Sequence, residues 1–152
     1  VCNVRPSSRG QISLRDSNPD SSPLIRPNYL STEDDKAVAV AGLKFTRQIM
    51  AAPALAPFAP HELKPGAHLT SDEELAHAAG DLGTTIFHPV GTCKMGRDPM
   101  AVVDAQLRVR GVHNLRVVDA SIMPTITSGN TNAPTVMIAE KGAEFIRQQH
   151  GH

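Results

Sequence analysis

Twelve prolines and eleven glycines interrupt this chain of 152 residues and limit where regular structure can form. Proline fixes φ and has no amide hydrogen, so it ends helices and is excluded from central strands. The apolar runs between these residues are short, and none approaches the roughly 20 residues of a membrane-spanning helix. The sequence therefore predicts one domain of short elements, large enough to bury a core and without a membrane segment.

Three stretches combine helix-start signals with apolar side chains at helical spacing. In the first, acidic residues follow a hydroxyl cap, which suits the positive end of the helix dipole. In the third, Pro134 suits the first turn because an amide hydrogen there has no intrahelical partner. The predicted helices run from 33 to about 51, from the cap at 71 to about 79, and from the segment 127–132 to about 148.

Short β-prone runs lie between the predicted helices. Polar and apolar residues alternate at 11–15, which is typical of a half-buried strand, and 25–29 is extended because Arg26 precedes Pro27. The apolar run 115–118 is expected to be a strand whose carboxyl end meets a polar site. Further strand candidates are 85–87, 102–104 and 107–109.

Charge and cysteine content argue against several functions. Fifteen basic residues balance fifteen acidic ones, so no strong field would attract nucleic acid or an anionic membrane. The cysteines, Cys2 and Cys93, have neither disulfide-framework nor zinc-ribbon spacing, and the histidines add no recognisable metal pattern. We therefore expect no metal, and a cytoplasmic location in which any association with a membrane is made through an electron acceptor.

His88 is the first candidate for chemistry, because it lies where a β-prone run gives way to a glycine-bearing loop. Histidine can take and return protons near neutral pH. Phe87 and Pro89 are expected to limit solvent on either side, and Gly91 lets the backbone approach a ligand closely. From the residues alone, an ordinary surface or packed loop histidine is the more frequent outcome.

Two further features are weaker. Asn130 has an amide that both donates and accepts hydrogen bonds, although an ordinary helix cap is the better interpretation on its own. Asp119 and Ala120 follow an apolar run, at the position where ligands of α/β sheets usually bind. The N-terminus of the last helix offers about half a positive charge to any anion placed there.

Six segments occur in the order and with the gaps of one known family. On these segments the chain resembles the glucose-methanol-choline (GMC) oxidoreductases, and the resemblance covers essentially its whole length. They are RPSSRG (5–10), PNYL (27–30), FHPVGTCKMG (87–96), VD (103–104), LRVVDASIMP (115–124) and NTNAPT (130–135).

The resemblance implies an α+β fold. Residues 1–82 are expected to be mostly substrate-binding domain, an antiparallel sheet flanked by helices. Residues 83–103 would hold the active-site histidine strand and loop, and 104–152 the strand and helix that complete the flavin domain. The Rossmann glycine loop, GxGxxG, is absent from this sequence. Because the sequence also starts without Met, we expect a piece of a longer enzyme whose N-terminal segment binds most of the FAD.

The reaction implied by the resemblance is oxidation of a small-molecule alcohol, with hydride transfer to the flavin N5. His88 matches the family's catalytic histidine and would accept the hydroxyl proton. Asn130 matches the second member of the catalytic pair and would hydrogen-bond the alcohol oxygen. The last helix would stabilise negative charge on the reduced flavin. The implied cofactor-binding residues are Asp119, Ala120, Asn132, Ala133 and Pro134.

The alcohol and the behaviour of the isolated chain stay open. A choline-like alcohol would favour aromatic side chains around its quaternary ammonium, whereas this chain has one Tyr and no Trp. The sequence does not separate an oxidase from a dehydrogenase. Without the FAD-binding segment the chain is expected to be inactive, to lose flavin and to self-associate through exposed surfaces. The alternative function is a non-catalytic binding or assembly module.

Overall fold

The structure is a computed structural model that describes residues 1–151, except for the side chain of His150. It consists of two compact units, Val1–Thr84 and a second unit that begins at Thr85. The first contains a small sheet and two α-helices, and the described part of the second, residues 85–151, contains one α-helix and a network of loops. Within residues 1–151, no helix is both long and apolar enough to cross a membrane.

The first unit begins with a two-stranded antiparallel sheet. β1 (Gln11–Ser13) pairs with β2 (Leu24–Arg26). Gly10 precedes the sheet where a side chain has no room, since a Cβ there would lie 2.3 Å from the carbonyl oxygen of Arg26. Both strands were predicted, although each is shorter than expected.

α1 (Glu33–Met50) starts at Thr32, whose side chain accepts a hydrogen bond from the backbone N–H of Asp35. Acidic residues in the first turn and Arg47 in the last turn both complement the helix dipole. This helix confirms the predicted start and ends one residue early. The irregular stretch expected after it opens with a 3₁₀ helix (Pro53–Phe58), which the sequence did not predict.

α2 (Asp72–Leu82) begins with a capping box. The side chain of Ser71 accepts from the N–H of Glu74, and the Glu74 carboxylate accepts from the N–H of Ser71. The predicted end near residue 79 is wrong, because the helix continues through Gly80 and stops at Gly83. A helical glycine costs only about 1 kcal/mol relative to alanine, which the capping box and the packing of α2 against α1 can offset.

Asp35 fixes the N-terminal segment onto the start of α1. It is 3% exposed and accepts hydrogen bonds from the side-chain amide of Asn3 (2.9 Å) and the backbone N–H groups of Ser7 (2.9 Å) and Ser8 (2.8 Å). Burial raises the pKa of Asp35, but hydrogen bonds from Ser8, Ser7 and Thr32 outweigh burial and lower the pKa to about 2. The carboxylate is therefore held charged in a buried position.

Arg47 ties the end of α1 to the loop that leads to α2. Its guanidinium forms two hydrogen bonds with the Glu62 carboxylate, at 2.9 and 2.8 Å. It also donates to the carbonyl oxygens of Gly66 (3.1 Å) and Leu69 (2.8 Å). Chiefly through the hydrogen bond from Arg47, the pKa of Glu62 lies below its usual value.

The second unit is built around one apolar cluster. α3 (Asn132–His150) covers it on one side, and a short 3₁₀ helix (Ala120–Ile122) contributes on another. α3 approaches Val118 closely, because a Cβ on Gly142 would lie 2.5 Å from a Val118 methyl. The buried members of the cluster are Val103, Leu107, Ile122, Met123 and Ile138.

The four runs predicted as strands in the second unit do not form strands. Leu107 (φ 64°) and Asn114 (φ 59°) reverse the chain within a few residues, so no hydrogen-bonded ladder extends. At 85–87, Phe87 also has a positive φ and its N–H bonds the hydroxyl of Thr85, which makes a turn. Isolated bridges instead join residues 95 with 103, 103 with 109, and 108 with 116.

Candidate active site

His88 lies in the loop that opens the second unit. Phe87, directly before it, has a φ of 63°, a conformation that is uncommon for a bulky residue. This backbone reversal leaves the side chain of Phe87 83% exposed while His88 is partly buried. Phe87 therefore gives little of the shielding from solvent that the sequence predicted.

The imidazole of His88 is held by a residue far away in the sequence. Its Nδ1 lies 3.0 Å from the hydroxyl oxygen of Thr131, 43 residues further along the chain. Thr131 is buried, with 8% of its surface exposed, and is the N-cap of α3. This hydrogen bond brings His88 to the N-terminus of α3 and leaves its other ring nitrogen, Nε2, outside the bond.

The loop after His88 is anchored to the segment that contains the 3₁₀ helix. The backbone N–H of Cys93 donates to the carbonyl of Ser121 (3.0 Å), and that of Met95 donates to the carbonyl of Ile122 (2.7 Å). Gly91 has a φ of 90°, and a Cβ there would lie 3.3 Å from the carbonyl oxygen of Met123. Glycine is therefore favoured at this close approach of two backbone segments.

Asp119 follows the run 115–118, which was expected to be a strand and does not form one, and its carboxylate has a local partner. One carboxylate oxygen accepts hydrogen bonds from the backbone N–H (2.7 Å) and the hydroxyl (2.5 Å) of Ser121. This caps the 3₁₀ helix that begins at Ala120. The segment is joined to the loop of His88, because the carbonyl of Ser121 also accepts a hydrogen bond from that loop.

The N-terminus of α3 carries the remaining predicted site residues. Asn132, Ala133 and Pro134 form its first turn, and the side chain of Thr131 does not cap it. Asn130, directly before Thr131, is exposed. Asn130 and Asn132 are the sequence neighbours of Thr131, the residue that contacts His88.

Thr131 is the functional candidate that the sequence analysis did not single out. Its only sequence signal was a hydroxyl between two asparagines at a helix start, which equally indicates a cap. No sequence pattern reveals a contact across 43 residues, since it depends on how the loop and α3 pack. Among the described residues, no group of three or more His, Cys, Asp or Glu side chains is placed to hold a metal ion.

The segments of this site recur in a protein family. The model of the GMC oxidoreductase family matches residues 6–139. The chain belongs to this family. The resemblance inferred from the sequence motifs is therefore confirmed, including the fold class that it implied.

Relatives of this GMC chain include redox enzymes. It is 52% identical over 146 residues to an alcohol dehydrogenase [acceptor] of Pseudomonas putida and 53% identical over 148 residues to human mitochondrial choline dehydrogenase. Each match covers 96% of this chain but only 26% and 25% of the relative. The chain thus spans about a quarter of the length of the curated relatives it matches.

A solved structure supports the same fold. An FAD-dependent oxidoreductase from Chaetomium thermophilum superposes with a TM-score of 0.88 at 33% identity. The match covers 96% of this chain and 26% of that one. FAD is therefore the cofactor of full-length relatives.

Proposed function

We propose that this chain is the C-terminal catalytic part of an FAD-dependent enzyme that oxidises a small-molecule alcohol to a carbonyl. The observation that carries the proposal is the placement of His88. The ring of His88 is hydrogen-bonded through Nδ1 to Thr131 at the N-terminus of α3, so Nε2 is left for a ligand. A general base needs both a fixed ring and an available nitrogen lone pair.

In the proposed reaction, His88 takes the proton of the substrate hydroxyl on Nε2. As the O–H bond breaks, the alcohol gains alkoxide character and its carbon–oxygen bond gains double-bond character. The hydrogen on the carbinol carbon then leaves as hydride, with both electrons of its bond. Bound FAD would supply the acceptor for that hydride. The amide of Asn130 would donate a hydrogen bond to the alcohol oxygen and orient it.

The residues predicted to face the cofactor fit a flavin. The first turn of α3 receives no cap from Thr131, so amide donors and the positive end of the dipole are available at Asn132 and Ala133. Such a terminus suits the negative charge that a reduced flavin carries. Together with Pro134, Asp119 and Ala120, these residues would hold part of the FAD.

We propose that the isolated chain does not retain FAD. It lacks the glycine-rich phosphate loop and spans about a quarter of its relatives' length, so most cofactor contacts would come from an N-terminal segment. Residues 1–82 would then belong mainly to the substrate-binding domain, 83–103 to the active-site loop, and 104–152 to the flavin domain. The free cysteines Cys2 and Cys93 favour a reducing compartment such as the cytoplasm.

We also propose that this N-terminal segment packs against the exposed apolar face of α1. Val38, Phe45 and Ile49 lie at helical spacing and are each more than 40% exposed. Without their partner they would drive self-association. Light scattering of the isolated chain should show a mass that rises with concentration and falls in a Phe45→Ser variant. A monomer at all concentrations would contradict this part of the proposal.

The test of the reaction is anaerobic flavin reduction in the complete gene product. Choline, the substrate named for the human relative, is added first, followed by simple and aromatic primary alcohols. We expect one of these alcohols to bleach the flavin absorbance. His88→Gln should slow this reduction about 10²- to 10⁴-fold, whereas His113→Gln, an exposed histidine of the same unit, should not. Bound flavin that no alcohol reduces would overturn the proposal.

The proposed role of Asn130 is tested with an Asn130→Ala variant, and Asn132→Ala is the control. Both are exposed and they flank Thr131. We expect Asn130→Ala to slow reduction without loss of flavin, and Asn132→Ala mainly to weaken flavin binding. The reverse result would exchange the two roles. A gene product that binds no flavin would favour the non-catalytic binding or assembly module instead.

A further inference from the structure

Thr131 occupies a helix N-cap without capping the helix. At this position a threonine hydroxyl ordinarily accepts a hydrogen bond from an N–H of the first turn, which stabilises a helix by about 1 kcal/mol. At α1 the structure contains that bond, from Asp35 to Thr32. At α3 the backbone of Thr131 is helical (φ −91°, ψ −1°), whereas that of Thr32 is extended (φ −111°, ψ 150°). The Thr131 side chain makes no cap bond, and its hydroxyl lies 3.0 Å from Nδ1 of His88.

The position of the Thr131 hydroxyl is therefore not explained by helix stability. Its side chain is β-branched, which restricts χ1, and the residue is buried, which restricts it further. The oxygen thus holds a fixed location against the imidazole. The loop that carries His88 is fixed as well, through the backbone hydrogen bonds of Cys93 and Met95.

We propose that Thr131 is the positioning residue of His88, and that it holds the imidazole in the tautomer with a proton on Nδ1 and a lone pair on Nε2. A neutral imidazole carries one N–H, so a hydroxyl that accepts from Nδ1 leaves Nε2 as the acceptor. The role in catalysis rests on the proposed function, while the tautomer itself does not.

The hydrogen bond survives the proton transfer in this arrangement. When Nε2 takes up the substrate proton, Nδ1 keeps its own proton and continues to donate to Thr131. The ring therefore needs no rotation between its two protonation states. Because a hydroxyl carries no formal charge, it orients the ring without adding a charge to the site.

The direct test is ¹⁵N NMR of the complete, flavin-containing gene product with labelled histidine, assigned with His88→Gln. We expect wild type to show the Nδ1–H tautomer. Thr131→Val keeps the shape of the side chain and removes its hydroxyl. Because that hydroxyl does not cap α3, the substitution removes only the bond to His88 and should shift His88 toward the Nε2–H form. Thr131→Ser should restore wild-type signals. Thr135→Val is the matched control, because its hydroxyl bonds the Thr131 carbonyl rather than the histidine.

The kinetic test uses the same variants. Thr131→Val should slow flavin reduction by the alcohol roughly 10- to 100-fold, by analogy with the loss of a partner that orients a metal-binding histidine. Substrate affinity should change little, and Thr131→Ser should recover most of the rate. Thermal unfolding of each variant separates this effect from a loss of folding.

The two proposals fail in different ways. If no alcohol reduces the wild-type flavin, the proposed function is wrong, yet the NMR signals still decide whether Thr131 fixes the tautomer. If Thr131→Val keeps both the wild-type tautomer and the wild-type rate, Thr131 is not a positioning residue. If the valine variant is slow but its tautomer is unchanged, Thr131 does not fix the tautomer, and that part of the proposal is wrong.

Discussion

Each of the two units of this chain is stabilised internally by a different kind of contact. In the first unit, charged side chains fix irregular segments onto regular helices: Asp35 holds the N-terminal segment and Arg47 holds the loop before α2. In the second unit, an apolar cluster and single backbone hydrogen bonds hold loops to one another. The candidate site lies in the second unit, where residues 85–151 form no sheet to support it.

This difference shows how loops alone can bring the residues of a candidate site together. The loop of His88 is bonded on one side to the segment at 121–122 and on the other to Thr131. Each of these hydrogen bonds stands alone rather than in a ladder, so the geometry of the His88 loop depends on the apolar cluster of the second unit. In the first unit, by contrast, the N-cap of α1 and the capping box of α2 would form much the same local structure with a weaker core.

Core truncation in each unit should give the largest effects. Leu75→Ala in the first unit and Ile122→Ala in the second each remove a buried side chain, and each should destabilise by about 2–5 kcal/mol. Hydrogen exchange would report the loss, since it reads each unit separately. We expect only Ile122→Ala also to disturb the His88 tautomer. Equal disturbance by both variants would contradict the contrast between the units.

Loss of the Asp35 anchor should come next. Asp35→Ala leaves the N–H groups of Ser7 and Ser8 without their acceptor and should destabilise the first unit by about 2–3 kcal/mol. The control is Asp34→Ala, an exposed acid of the same helical turn, which should cost under about 1 kcal/mol. Chemical denaturation measures both. Similar losses would mean that the anchor contributes only through the helix dipole.

Acid should weaken the same anchor in wild type. The pKa of Asp35 is lowered in the folded state to about 2 from 3.8, so its contribution is present above pH 4. It should be lost as the pH falls from about 4 to 2, because the unfolded chain binds the proton first. The expected loss is about 2 kcal/mol in that window. An Asp35→Asn variant with the same acid dependence as wild type would disprove the assignment.

Two glycines within helices should give the smallest effects, of opposite sign. Gly142→Ala places a methyl against Val118 and should destabilise the second unit by about 1–3 kcal/mol. At Gly80 a Cβ meets nothing within 4 Å, so Gly80→Ala should stabilise α2 by roughly 0.5–1 kcal/mol. Melting temperatures would show both shifts. Stabilisation at both positions would mean that α3 can move away from Val118.

Local signals in the sequence were sufficient to predict helices α1, α2 and α3. They were also sufficient to predict the two strands of the first unit. The capping sequence at 71–74 and the acidic first turn of α1 act within one helical turn, so their effect does not depend on distant packing. The end of α2 was missed because packing and capping outweigh the weak cost of Gly80. The predicted strands of the second unit failed because β-prone residues there meet reversals at Leu107 and Asn114.

The sequence by itself determined the family, the helices and the identity of His88 as a candidate, because motifs and helix caps are local properties of the chain. Only the tertiary structure decided that Thr131 meets His88, that its hydroxyl does not cap α3, and that Phe87 is exposed. These features join residues that are far apart in sequence or depend on one backbone reversal. They follow from how the loop and α3 pack on a common core.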